Sequence, residues 1–298
     1  MSFPRVCLLT TPSPLEVAWR LSAVRAANLA GWAIVDPVDD PTARPPDDRP
    51  TLILSFNLPG AAALNPTDWV ILTDTPWRAS LALAPTVNDT PDGKLTLLHL
   101  SIRYADAASL AAQGVPVIDA RAPALTLPGL GEISPAIDVP PSVPDAPVRP
   151  TPLDMYRRLP PIPGDEVEWK PSIFSYCLRD KDYGGSPRID LTGRGRLLMH
   201  GPALHLSPGH WSAELKLSVE REDSSPVLRF EWGHDPEFAV VEAVVTADGF
   251  YSVQLDRLWT AAGPAHFRLW IVNSVFEGRL DVLGCSVRRL ADGGLDAN

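Results

Sequence analysis

The chain has 298 residues, about twice the commonest domain size, so its length favours two domains. With 45% hydrophobic and 21% charged residues it has the composition of a folded globular protein, which excludes a disordered or fibrous chain. The net charge is −10, and no segment carries the surplus of basic residues that binding to a nucleic-acid backbone requires. Nucleic acid is therefore not expected as a partner.

The number of cysteines and the length of the apolar runs indicate where in the cell the protein is expected. The three cysteines are odd in number and far apart, which argues against a disulfide framework. No apolar run is long enough to span a membrane, and the first residues lack the pattern of a secretory signal. These features predict a cytoplasmic protein without a membrane span.

Proline marks the expected boundary between the two domains. Nine of the 33 prolines fall within Val139–Pro163. Because proline lacks a backbone N–H and fixes φ, this stretch is predicted to be an extended, semi-rigid linker. The expected organisation is a first domain over residues 1–138, a linker over 139–163 and a second domain over 164–298. The PxxP spacings in the linker leave open a docking segment for a protein partner.

The first part of the chain alternates short apolar runs with alanine-rich segments. Runs such as TLILSF and WVILTD are typical of strands buried on both faces, and LTLLHL is interpreted as another. A first helix is predicted to have Ser13 as its cap, Pro14 in its first turn and Glu16 completing a capping box, and to end at Gly31. A second helix is predicted over Tyr104–Gln113. This alternation predicts an α/β, doubly wound, Rossmann-like domain of about five or six mostly parallel strands.

The carboxyl ends of these strands are the expected ligand site of the first domain, because doubly wound sheets bind ligands there. Polar residues follow three of the strands and would line such a crevice: Thr10, Thr11, Asn57, Asp74 and Thr75. The phosphate-binding patterns GxGxxG and GxxxxGK[ST] are absent. The crevice is therefore interpreted as that of a degenerate nucleotide-sugar domain, with a working nucleotide site as the alternative. No cofactor is predicted.

After the linker, apolar residues recur at every second position. The segment HWSAELKLSVE places Trp211, Leu215 and Val219 on one face and polar residues on the other. Further segments of the same pattern follow, separated by turn signals, and no helical pattern intervenes. The second domain is therefore predicted to be all-β, an antiparallel β-sandwich of the jelly-roll kind. A slip in the apolar phase near Gly284 predicts a β-bulge.

Isolated histidines and acidic residues give no catalytic or metal site. His99, the one histidine of the first domain, lies in LTLLHL and is expected to be buried in the core. His200, His205 and His210 recur at every fifth residue, but this spacing is not specific for zinc. The Gly233–Glu237 loop offers oxygen atoms without the spacing of a calcium loop. The nucleophile motif GxSxG is also absent, so no catalytic residue is assigned.

The strand HFRLWIV carries the strongest candidate for a binding site. Alternation places Phe267, Leu269 and Ile271 in the core and leaves His266, Arg268 and Trp270 on the opposite face. Tryptophan stacks on sugar rings while arginine and histidine bind hydroxyl groups, so this face is predicted to bind a saccharide. Two more tryptophans are expected to border the same surface, Trp259 and Trp232. The alternative is that the face is buried against the first domain or a second subunit.

Three segments between Ile189 and Leu290 combine a polar turn, an aromatic residue and an alternating strand: GPALHLSPGHWSAELKLSVE, GFYSVQL and AGPAHFRLWIVNSVFEGRLDVLGCSVRRL. This part of the chain resembles the jelly-roll sandwiches of carbohydrate-binding modules, which also occur in bacterial proteins of surface-polysaccharide assembly. The resemblance implies a cytoplasmic bacterial accessory protein of glycan or polysaccharide metabolism that recognises a saccharide or a glycosylated partner. Two alternatives stay open: a small or degenerate glycosyltransferase that uses a nucleotide sugar, and a structural scaffold that binds a protein partner or forms a homo-oligomer.

Overall fold

The computed structural model describes residues 3–37, 40, 42–83, 93–141, 149–177 and 188–291. The chain divides into two compact units. The first unit comprises residues 1–88, 103–151 and 156–160, and the second comprises residues 89–102, 152–155 and 161–298. Neither unit is a single continuous segment.

The described part of the first unit is built on a five-stranded parallel sheet in the order β2-β3-β1-β4-β5. Its strands are β1 (Arg5–Thr10), β2 (Ala33–Val35), β3 (Thr51–Ser55), β4 (Asp68–Thr73) and β5 (Val117–Asp119). The helices are α1 (Glu16–Leu29), α2 (Leu58–Ala62), α3 (Pro76–Leu83) and α4 (Lys94–Ala111), of which residues 103–111 belong to this unit. A two-stranded sheet of β6 (Leu125–Leu127) and β7 (Gly131–Ile133) follows. No helix among the described residues has both the length and the apolar composition needed to cross a membrane.

Helices cover both faces of the parallel sheet, which explains the continuous apolar runs. Alternate residues of a strand point to opposite faces. Val6 and Leu8 of β1 pack in one core cluster with residues of α1. Cys7 packs in a second cluster with a residue of α2, and Leu9 in a third with the last turns of α4. Since both faces are buried, the central strand has no polar side to reveal its period in the sequence.

Two predictions for the stretch before Gly114 are wrong. LTLLHL is not a strand, because α4 runs without a break from Lys94 to Ala111 and the predicted helix Tyr104–Gln113 covers only its second half. His99 is exposed on this helix and does not lie in the core. A short apolar run fits a buried strand and a buried helix equally well, so the period alone could not distinguish them.

The described end of the predicted linker is folded rather than extended. Asp154–Tyr156 form a turn of 3-10 helix, and Leu153, Met155 and Tyr156 are buried. The Tyr156 ring stacks on Tyr104 of the same unit, with the ring centres 5.8 Å apart. Proline excludes this stretch from regular ladders, but the apolar residues between the prolines still pack. Residues 142–148 lie outside the described part.

Within the described residues, the second unit consists of two antiparallel sheets of five strands each. One sheet has the order β10-β17-β12-β15, with β8 also paired to β17, and the other has the order β14-β13-β16-β11-β9. The strands are β8 (Glu166–Trp169), β9 (Ser175–Tyr176), β10 (Arg188–Asp190), β11 (Arg196–Leu206), β12 (Gly209–Glu220), β13 (Val227–His234), β14 (Glu237–Val244), β15 (Gly249–Trp259), β16 (Gly263–Ile271) and β17 (Arg279–Arg289). The prediction of an antiparallel β-sandwich is confirmed. The β12–β17 register also shifts beside Gly284, where the bulge was predicted.

Tryptophan side chains fill the space between the two sheets. The Trp232 ring of β13 lies 5.8 Å from that of Trp169 on β8 and 5.2 Å from that of Trp259 on β15, centre to centre. Phe267 of β16 lies 6.1 Å from Trp232. All four side chains are buried. Because strands of both sheets contribute rings that touch, this cluster fixes the packing of one sheet on the other.

Candidate functional site

The strongest candidate site lies on the outer face of β16. Phe267, Leu269 and Ile271 are buried between the sheets. The alternating residues His266, Arg268 and Trp270 are partly exposed on the other face. The structure thus brings together the three side chains that the sequence placed on one side of this strand.

Trp270 forms one wall of a pocket of about 450 Å³. Strand pairing places Trp270 opposite Arg229 of β13 and Leu197 of β11. The remaining lining residues come from the same three strands and the loops that flank them: Gly195, Arg196, Glu231, Ile271 and Val272. The indole Nε1 of Trp270 is shielded from solvent and has no hydrogen-bond partner among the described residues.

Arg268 is held between carboxylates and an aromatic ring. Its guanidinium donates two hydrogen bonds to the Asp235 carboxylate, at 3.2 and 2.6 Å, and lies 4.3 Å from the centre of the Phe238 ring. On its other side, Glu231 lies 3.9 Å away with only 9% of its side chain exposed. Glu231 is also 2.8 Å from Nε of Arg229. The two arginines are therefore already balanced by carboxylates of the protein.

The titration of two groups follows from this arrangement. Hydrogen bonding to Arg268 holds the pKa of Asp235 below its ordinary value. Burial, and then the nearby Arg268 charge, lower the pKa of His266. His266 is therefore neutral at pH 7, and a neutral imidazole offers one donor and one acceptor.

The two tryptophans expected to border this surface do not lie there. Trp232 and Trp259 are 0% and 1% exposed and belong to the cluster between the sheets. Trp232 lies two residues after Phe230, and both side chains point inward. The alternation within RFEW therefore predicts that Trp232 is buried. The same period places Arg229 and Glu231 on the outer face, where sequence analysis overlooked them.

The evenly spaced histidines do not converge. His200 lies opposite Arg268 and His205 opposite Pro264, both on β11. His210 lies on β12 in the other sheet. Across the part of the chain that the structure describes, no group of His, Cys, Asp and Glu side chains is arranged to hold a metal ion.

Around Asp74, the polar residues at the carboxyl ends of the parallel strands bind one another. Asp74, 5% exposed, accepts hydrogen bonds from the Ser13 hydroxyl at 3.0 Å, Nε of Arg78 at 3.1 Å and the Thr75 N–H at 2.8 Å. The buried Tyr104 hydroxyl donates to the Asp74 carbonyl at 2.6 Å and covers this side of the sheet. The expectation that Asp74 faces a ligand is corrected, because its oxygen atoms are used by the protein.

The other predicted crevice residues are used locally as well. Thr10 and Thr11 are buried, and the Thr10 hydroxyl donates to the Glu16 carboxylate at 2.9 Å. Asn57 is exposed and caps α2 by accepting the Gly60 N–H at 3.2 Å. Because Glu16 is bonded to Thr10, the predicted capping box of α1 does not form.

Asp106 of α4 provides a test of the electrostatics of the first unit. It makes no ion pair with any described residue, and burial raises the pKa of its carboxyl to about 6. The native state then holds the proton more tightly than the unfolded chain, so stability is lost as the pH rises from about 4 to about 6. We expect Asp106→Asn to raise Tm at pH 7.5 and to leave it unchanged near pH 4.

Thermal unfolding at the two pH values measures this effect. Asp138→Asn is the matched control, because Asp138 is exposed and its hydrogen bond from Arg25 lowers its pKa. This control should give no increase in Tm at pH 7.5. An Asp106→Asn effect that is the same at both pH values would show that the carboxyl is not destabilised by burial.

Comparison with known proteins gives similarity at the level of fold. No model of a known protein family matches the chain, and no curated protein matches it. Similar solved structures include a family 61 carbohydrate-binding module in complex with β-1,4-galactotriose, 7% identical over 42% of this chain and 86% of its own, with a TM-score of 0.29. Another is the C-terminal family 6 module of a marine laminarinase from Zobellia galactanivorans, 15% identical over 42% of this chain and 99% of its own, with a TM-score of 0.28. A third is a xylan-binding family 22 module from Paenibacillus barcinonensis, 11% identical over 42% of this chain and 87% of its own, with a TM-score of 0.26. All three are carbohydrate-binding modules, the class of domain that this part of the sequence resembles.

Proposed function

We propose that the second unit binds a saccharide on the outer face of β16, with Trp270 as the surface on which a sugar ring stacks. The observation that carries this proposal is the pocket of about 450 Å³ beside a partly exposed tryptophan. This volume lies within the range of roughly 300–1,000 Å³ that is usual for small-molecule sites. The finer role implied by the sequence, a cytoplasmic bacterial accessory protein of glycan or polysaccharide metabolism, is part of the same proposal.

The polar groups of the pocket suit hydroxyl groups. Glu231 accepts hydrogen bonds and Arg229 donates them. A sugar hydroxyl both donates and accepts hydrogen bonds, so neighbouring hydroxyls on one ring can bind the donors and the acceptors of the pocket together. The indole face beside them is apolar, as are the C–H faces of a sugar ring.

The charges near the pocket favour an uncharged sugar. Arg229 is paired with Glu231 and Arg268 with Asp235, while Arg196 donates to the backbone carbonyls of Asp190 and Thr192. A sugar carboxylate would have to displace one of these acceptors from its arginine. We therefore expect neutral oligosaccharides to bind more tightly than uronic-acid oligosaccharides of the same length.

The test is a glycan array followed by titration of the best neutral oligosaccharide. Trp270→Ala should lose at least about tenfold in affinity, a change of about 1.4 kcal/mol. It should lower the free energy of unfolding by less than about 2 kcal/mol, because the side chain is partly exposed. Phe250→Ala is the matched control, since Phe250 is an 82% exposed aromatic residue on the other sheet and its loss should leave affinity unchanged.

Two results would contradict the proposal. One is that the wild-type protein binds no glycan on the array. The other is that Trp270→Ala, folded as judged by its circular dichroism spectrum, binds the oligosaccharide as tightly as the wild type.

A further inference from the structure

Arg103 of α4 is a largely enclosed positive charge in the first unit. Its guanidinium lies 4.1 Å from the centre of the Phe56 ring. Burial lowers the pKa of Arg103, yet an arginine keeps its charge at neutral pH. Among the described residues, no group accepts a hydrogen bond from Arg103 and no carboxylate lies within 4.0 Å of it. A partly desolvated guanidinium without such a partner is costly, because its donors are left unmatched.

Its neighbours place Arg103 at the carboxyl edge of the parallel sheet. Phe56 directly follows β3. Glu16, on which the Arg103 charge acts, begins α1 and is bonded to Thr10 at the end of β1. The guanidinium therefore lies near the ends of β1 and β3, at the edge where ligands of parallel sheets bind. The next residue, Tyr104, covers the ends of β1 and β4 instead.

The other charges at this edge already have partners. Arg20 contacts Asp36 directly. The Glu16 carboxylate accepts the Thr10 hydroxyl at 2.9 Å, and burial raises its pKa. Among the described residues at this edge, Arg103 is the cation without a carboxylate within 4.0 Å.

We propose that this edge binds a small molecule through one oxyanion, a carboxylate or a phosphate, that Arg103 holds with two parallel N–H donors. A planar guanidinium matches both groups in this way, and the Phe56 ring packs against it. Such a site needs no glycine-rich loop, which the sequence lacks.

Thermal unfolding of the full chain tests the site with simple anions. Sodium phosphate and sodium acetate are each compared with sodium chloride at matched ionic strength and pH. At a tenfold excess over Kd, we expect at least one of the two anions to raise the wild-type Tm by ~3 °C. Arg103→Gln should abolish this shift, and Arg103→Lys should at least halve it, because an ammonium group cannot form the paired contact.

Arg121→Gln is the matched control, because Arg121 follows β5 at the same edge but is exposed and paired with Asp119 at 2.9 Å. It should keep the full shift. The proposal fails if neither anion shifts the wild type, or if Arg103→Gln retains the shift. It also fails if Arg121→Gln loses as much as Arg103→Gln, or if Arg103→Lys keeps the whole shift. None of these results bears on saccharide binding by the second unit.

Discussion

Trp232→Ala is expected to lower the free energy of unfolding of the second unit by about 3–5 kcal/mol. The Trp232 ring is 0% exposed and touches rings on both sheets, including those of Trp169 and Trp259. Truncation removes the apolar contacts of the ring and leaves a cavity that rigid neighbouring strands cannot close. Urea unfolding followed by near-ultraviolet circular dichroism measures the loss.

Trp270→Ala is the control for this experiment, because it removes the same side chain from the outer face of the neighbouring strand. It should cost less than half as much as Trp232→Ala. Equal costs for the two variants would show that the outer face of β16 is packed as tightly as the core, and would remove the basis for a binding site there.

Asp74→Ala is expected to destabilise the first unit by about 3–5 kcal/mol, the cost of removing one member of a buried ion pair. The Asp74 side chain is fully enclosed, and its loss removes the carboxylate that accepts hydrogen bonds from the Arg78 guanidinium and the Ser13 hydroxyl. A ligand-binding carboxylate exposed in a crevice would cost little on replacement. Urea unfolding distinguishes these two roles directly.

Asp119→Ala is the matched control for Asp74→Ala. Asp119 ends the neighbouring strand and is also paired with an arginine, but half of its side chain is exposed. Exposed ion pairs contribute at most about 1 kcal/mol, so this variant should be nearly as stable as the wild type. An Asp74→Ala variant of equal stability would contradict the buried network.

Strands whose apolar residues recur at every second position could be predicted from the sequence. The alternation of β16 identified Phe267 as buried and Trp270 as outward-facing, because a strand with one buried face shows its period directly in the sequence. The run LTLLHL shows no such period, and its helix could not be distinguished from a strand. The proline content of the linker excluded regular ladders but did not reveal that Met155 is buried.

The partners within each site were harder to predict, since they come from distant parts of the chain. Arg268 meets Asp235 and Phe238 because of the turn between β13 and β14, whose geometry the sequence does not fix. Asp74 meets Ser13 only after two parallel strands have paired. Polar residues at strand ends therefore indicated the correct edge of the sheet, but not whether they face a ligand or one another.

The indole N–H resonances of the protein in a saccharide titration test the central claim most directly. The chain has nine tryptophans and hence nine such signals in a ¹H–¹⁵N spectrum, and Trp270→Phe identifies the one that belongs to Trp270. Because Trp270 lines the pocket, we expect a neutral oligosaccharide to shift the Trp270 signal most strongly, while those of Trp232 and Trp259 stay in place. A saccharide that shifts other indole signals and leaves that of Trp270 unchanged would contradict the proposed site.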